Sequence, residues 1–156
     1  MNLKSSDLVR AIVHTEPTAC SCGRCVAMCE RCPCIGTPQD MLRLIEAGHR
    51  DKLAPTLWAA QGFENAVEMI AIDAQGMNDP GVLSPCPFLR DGLCGLHDSG
   101  NKPTEGVLAS CQHTQEEAAR ILAAVVASWL LPRNARLIAH LFALYEPPQG
   151  EGVILL

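Results

Sequence analysis

Residues 20–34 read "CSCGRCVAMCERCPC", which places six of the chain's nine cysteines within fifteen positions. What those thiols do decides the fold. Crosslinked, they describe a secreted disulfide knot; as ligands, they describe a metal-organised lobe in a protein that must find its hydrophobic core elsewhere. The odd total forbids complete internal pairing. The start "MNLKSSDLVRAIVHTEP" has no apolar stretch long enough for a signal peptide, and no window approaches a membrane span of about 20 apolar residues. The expectation is therefore a cytoplasmic protein without a membrane partner, whose clustered thiols are reduced and serve as metal ligands or redox groups.

The stretch spells CxCxxCxxxCxxCxC through Cys20, Cys22, Cys25, Cys29, Cys32 and Cys34. A CxxC step lets two thiolates reach one ion at about 2.3 Å, and both Cys22 with Cys25 and Cys29 with Cys32 have it. One tetrahedral zinc takes four ligands, so six sulfurs imply a second site or a bridging cluster. Pro17, Gly23, Pro33 and Gly36 interrupt any long period, and the segment reads as an irregular metal loop. Downstream, Cys86, Cys94, His97, Cys111 and His113 complete the ligand supply. They can form a Cys3His site with His97 or fold back onto the first cluster and join the two halves of the chain through metal. His97 alone is better explained as a surface-loop residue, and His113 as a neighbour of the Thr114 cap. His14, His49 and His140 read as structural or solvent-facing.

Outward from the cluster the pattern is helical. A short helix over 6–14 presents Leu8, Val9, Ile12 and Val13. "TPQDMLRLIEAGH" has Thr37 as N-cap, Pro38 at the first helical position, Asp40 near the positive end of the dipole and Gly48 as its stop. Met41, Leu42, Leu44 and Ile45 form its buried stripe. Residues 50–61 read as a further helical piece around Pro55, with Leu57 and Trp58 packing inward. "AVEMIAID" reads as a strand. Residues 76–110 are loop-rich, with "PCPFLRDGLCGLH" as a hairpin turning at "RDG". "HTQEEAARILAAVVASWL" opens with Thr114 and Glu117 in capping-box spacing and carries Ala118, Ile121, Leu122, Val125, Val126 and Trp129 on one face. "PRNARLIAHLFALYE" is a last amphipathic helix, and the terminal "GVILL" is a packed strand or an apolar tail. Trp58, Phe63, Trp129 and Phe142 are core candidates.

The expected fold is mainly α with a small β-hairpin (α+β), a cysteine-rich metal-binding lobe packed on a helical core. At 156 residues it forms a single domain, with 15–112 the cysteine-rich region and 113–146 the C-terminal helices. A hydrophobic share of 48% and a charged share of 19% are those of a globular chain. A net charge of −5 with scattered basic residues argues against a nucleic-acid partner.

Three parts of the chain together resemble a bacterial cysteine-cluster family of the CxxCxxCC type, described as a zinc- or iron-chelating domain. They are "CGRCVAMC…C", "TPQDMLRLIEAG" and "CPFLRDGLCGLHDSGNKPTEGVLASC", spanning about residues 20–112 in register. The resemblance implies chelation by cysteines of both motifs, and fit to the motif selects Cys22, Cys25, Cys29, Cys34, Cys86, Cys94 and Cys111. Cys20 and Cys32 are additional or substitute ligands, since this chain lacks the family's adjacent Cys-Cys pair and carries extra cysteines. Thiolate-rich tetrahedral surroundings put Zn2+ ahead of iron or an iron–sulfur cluster. CxxxCxxC in "CVAMCERC" also matches the cluster motif of radical S-adenosylmethionine enzymes, but the chain has neither the length nor the alternating strands and helices of their barrel. Cys94 and His97 as a nucleophile and base are outweighed by ligation, and no catalytic constellation emerges. Chelation or a metal-stabilised interaction surface is the expected task. An iron–sulfur or thiol redox protein is the alternative, and an adaptor for a protein partner is a third reading.

Overall fold

In the computed structural model, residues 5–15, 22–59, 62–73 and 85–146 are described. Cys20, and the expectations placed on it and on "GVILL", lie outside them. Among the described residues the fold is mainly α, as expected, with six α-helices and two antiparallel strand pairs.

Helix α1 (Ser5–Val13) packs on helices α4 (Thr104–Leu108) and α5 (Gln115–Ser128). Val9 and Val13, one turn apart, are buried, whereas Ile12 is 68% exposed and Leu8 41%. The four-residue face expected from sequence is two adjacent stripes, and the neighbouring helices cover only one of them.

Helix α3 (Pro38–Glu46) forms where its local signals put it. The Thr37 hydroxyl accepts from the Asp40 amide at 3.2 Å, and the Asp40 carboxylate accepts from the Thr37 amide at 2.9 Å. Gly48, at φ +89°, takes the left-handed turn that ends the helix. Met41 and Leu44 are fully buried. Asp40 is fully buried too, and the same Oδ2 accepts from the Thr104 amide at 2.9 Å while Oδ1 accepts from the Arg43 guanidinium. A cap of α3 is thereby also the joint to α4.

The expectation of a helix over 50–61 is overturned. After a single 3-10 turn at Arg50–Lys52, Leu53–Trp58 is a strand (β1), paired antiparallel with β2 (Val67–Ile72), and Pro55 lies opposite Ile70. Proline has no amide hydrogen for a helix interior but is tolerated in an edge strand. Leu57 points outward, 66% exposed, and Trp58 is only partly buried. Strand β2 was expected and is the inner strand of the pair: Val67, Met69, Ile70, Ala71 and Ile72 are buried, and it packs on α3.

The expected hairpin is β3 (Leu89–Arg90) and β4 (Leu93–Cys94), turning through Asp91 and Gly92 at φ +50° and +74°. Two positive φ values in a row are the two-residue turn that matches strand twist. Phe88, just before it, is buried with His49 edge-on at 5.1 Å and the Lys52 ammonium 4.9 Å from its ring centre. His49 thus has a structural role, and the hairpin is anchored to the segment after α3.

Helix α5 begins with the expected Thr114–Glu117 capping box. Ile121, Val125, Val126 and Trp129 are buried, Leu122 is half-buried, and Ala118 is exposed. The Trp129 indole N–H donates to the Gly36 carbonyl at 2.9 Å. A short turn at Pro132–Asn134 leads into α6 (Ala135–Ala143), which sets Leu141 in the core against α3. The α5–α6 pair bends by 55°, and among the described residues no single helix is long and apolar enough to cross a membrane.

Candidate metal centre

The cysteine-rich stretch is not an irregular loop. Gly23–Arg31 is an α-helix, α2. The signal for it lay in the cysteines themselves: Cys22, Cys25, Cys29 and Cys32 are separated by three, four and three positions, the repeat of one helical face. The stripe that would ordinarily be Leu or Val is made of thiols. No residue of α2 is buried, and its N-cap, Cys22, makes no side-chain capping bond.

Sulfur atoms of Cys22, Cys25 and Cys111 all lie within 4.8 Å of one another, with Cys22 and Cys111 3.6 Å apart. Cys22 is exposed, and the other two are half-buried. Cys111 comes from the turn before α5. There the Ser110 hydroxyl accepts from the Gln112 amide at 3.1 Å, and the Ser110 carbonyl accepts from the His113 amide at 3.2 Å. The sequence left two options for the distant cysteines, and for Cys111 the chain takes the fold-back. A tetrahedral zinc with Zn–S of about 2.3 Å spaces its sulfurs about 3.8 Å apart, so a 3.6 Å pair suits a shared ion. It is far longer than a disulfide of about 2.05 Å.

The remaining predicted ligands gather one turn further along α2. Cys29 is on the helix, Cys34 follows it, Cys86 precedes the hairpin and Cys94 is in its second strand. The Cys86 amide donates to the Cys29 carbonyl at 2.8 Å, and Cys94 lies opposite Leu89 across the β3–β4 pair. Burial raises the Cys29, Cys34 and Cys86 thiols, Cys86 to about 11. Glu105 adds to the rise at Cys34, and the amides of Phe88 and Leu89, aimed at the Cys86 sulfur, oppose it there. Every pairing among Cys29, Cys34, Cys86 and Cys94 contributes repulsion between thiolates, so the four share one electrostatic neighbourhood. A thiol held above its ordinary range is a poor nucleophile and waits on a cation for ionisation.

Cys32 is exposed, raised by burial of its sulfur, then by Glu105 and Cys29, and it belongs to neither group. His97 is exposed and His113 half-buried, and neither joins the close thiol group. Glu105 is the residue that sequence reasoning missed. Its carboxylate, on α4, accepts from the Ile35 amide at 2.6 Å, and burial pushes its pKa up to about 7 against the lowering effect of that bond. Nothing in "KPTEGVL" signals a buried acid. Gly106, next to it, is small for a visible reason: a Cβ there would stand 2.8 Å from the Cys34 sulfur.

No family model, no curated protein and no solved structure matches the chain. The site therefore stands on its own chemistry: thiols remote in sequence, brought together at the start of one helix, able to chelate a metal ion.

Proposed function

We propose that this protein is a thiolate metal-binding module, with zinc preferred over iron, whose role is chelation or the support of an interaction surface rather than catalysis. The observation that carries the reading is the Cys22–Cys25–Cys111 triplet, three sulfurs within 4.8 Å drawn from positions up to 89 residues apart. A structural thiolate zinc site is filled by four protein ligands and leaves no open position for Lewis-acid chemistry. The motif resemblance to the bacterial cysteine-cluster family of zinc- or iron-chelating domains agrees with this, and membership of that family is part of the proposal. Further support comes from α2, nine residues without one buried side chain. So short a helix is marginal in water, and ligation supplies what a core stripe would. The cytoplasm, where thiols stay reduced, is the compartment that suits such a site.

Metal analysis of protein purified without added metal, with a count of titratable thiols, tests the reading. Colourless protein with zinc at one or more equivalents is the expected result. A brown protein absorbing broadly near about 400 nm reassigns the site to an iron–sulfur cluster. Reduced, folded protein that neither carries nor takes up metal overturns the proposal.

A further inference from the structure

We infer that Cys29, Cys34, Cys86 and Cys94 form a second four-thiolate site for a thiophilic divalent cation, separate from the one at Cys22, Cys25 and Cys111. The inference rests on the metal-binding reading above and goes on to divide the ligands between two ions. A single zinc takes four sulfurs, and the sequence places many more in play. The fold divides them along α2. Cys22 and Cys25 at its start meet Cys111. Cys29, one turn on, faces the hairpin that carries Cys86 and Cys94, fixed there by the 2.8 Å bond between the Cys86 amide and the Cys29 carbonyl.

Three features of the second set are those of a built site. Cys86-Pro87-Phe88-Leu89 is a tight turn, closed by the Leu89 amide on the Cys86 carbonyl at 2.9 Å, with the Phe88 and Leu89 amides directed at the Cys86 sulfur. Amide hydrogens on a ligand sulfur are the outer-shell contacts that orient and stabilise a bound thiolate. Space for the Cys34 sulfur is kept by Gly106, where any Cβ would intrude to 2.8 Å. Lys102 bears on Cys29 with the opposite charge, and its side chain lies against the same glycine. Four thiolates around a dication leave two negative charges, one of which that ammonium offsets. As the cation enters, the four thiols release their protons to solvent and their sulfur lone pairs form the bonds. The four sulfurs stand wider than the first set, which among the described residues is the one group of three metal-ligating atoms within 4.8 Å. Ligation draws the hairpin and the end of α2 together.

The test is a Co2+ titration of the full, reduced chain, followed by its sulfur-to-cobalt charge-transfer absorption, with wild type beside the double variants Cys86→Ser/Cys94→Ser and Cys22→Ser/Cys111→Ser. Two equivalents in wild type, with each double variant losing one and keeping the other, are expected. A single equivalent in wild type, or loss of all cobalt in both variants, overturns the second site while leaving the metal-binding reading in place. No cobalt thiolate absorption at all brings down that reading itself. Should a double variant fail to fold, alkylation of zinc-loaded wild type decides. Protection of Cys29, Cys34, Cys86 and Cys94 that outlasts or precedes loss of protection at Cys22, Cys25 and Cys111 during stepwise chelation supports two sites, and simultaneous exposure of both sets refutes them.

Discussion

Helices α2 and α3 are both nine residues long and lie six residues apart in the chain, yet they are held by different physics. Helix α3 has a capping box at its start, four buried residues, and a buried carboxylate that reaches into α4. Helix α2 has none of these: no side-chain cap, no buried residue, and a stripe of thiols where an apolar stripe would be. One helix is specified by its own sequence and the core. The other, on the reading proposed above, takes its stability from a bound ion rather than from the core. A fold of this kind can keep its core while its site comes and goes.

Metal removal breaks the comparison most sharply. Apparent binding free energies of structural zinc in small domains are about 10–16 kcal/mol, more than the whole stability of many domains. With a strong chelator under reducing conditions, α2 is expected to lose its nine residues of helix. Amide exchange measured by mass spectrometry should then show Val26 to Cys32 unprotected, while Met41, Leu44, Ile121 and Val125 keep their protection. Equal protection of α2 and α3 in the metal-free protein would mean that α2 is held by something other than ligation.

The converse perturbation belongs to α3. Asp40→Ala removes the acceptor for the Thr37 and Thr104 amides, both at 2.9 Å and buried, and strands the Arg43 partner. Each buried unpaired group costs about 1–3 kcal/mol, so a loss of about 4 kcal/mol is expected in denaturant unfolding, with metal stoichiometry unchanged in the folded fraction. If the variant loses metal before it loses its core, the two helices are not independent.

Glu105 sits between the two regimes, on the core-side helix α4 but beside Cys34. Its folded pKa, about 7, lies above the ordinary 4.5. Between those values the folded chain holds a proton that the unfolded chain has released. The stability of the metal-free protein therefore falls as pH rises from about 4.5 to about 7, by about 3 kcal/mol in all, and is flat with respect to this group on either side. Glu105→Gln keeps an oxygen for the Ile35 amide and removes the titration. A pH series of urea midpoints should lose its slope in that window. A slope unchanged by the variant would assign the pH dependence to another group.

These differences also explain what could be read from the sequence. Helices α3 and α5 were legible because their determinants are local: Thr37 with Asp40 and Thr114 with Glu117 mark the starts, and the apolar period follows within one or two turns. Strand β1 was misread because Leu53, Leu57 and Trp58 match a helical period, and the pairing that overrules it is with residues 67–72. Helix α2 was hidden because its periodic residues are cysteines, which spacing rules assign to loops. That distant cysteines meet was legible, since Cys111 does close on Cys22 and Cys25, but which ones group together was not. Whether Cys111 meets Cys22 or Cys94 depends on how α4 and α5 carry it back across α1, a matter of tertiary packing.

The start of α5 is where a self-specified helix touches the thiols, and it gives the smallest and most discriminating test. The Thr114 hydroxyl accepts from the Glu117 amide at 3.2 Å, and the Glu117 carboxylate accepts from the Thr114 amide at 2.7 Å, three residues after Cys111. Thr114→Ala removes one of the two bonds, for a cost of about 1 kcal/mol. If α5 is anchored by its buried face, Ile121, Val125 and Val126, the loss appears as a small shift in the unfolding midpoint. Cys111 then stays protected from alkylation in metal-loaded protein. If Cys111 instead becomes reactive at once, the cap is what aims this thiol at Cys22, and the boundary between the core-held and thiol-held parts of the molecule lies inside α5 rather than before it.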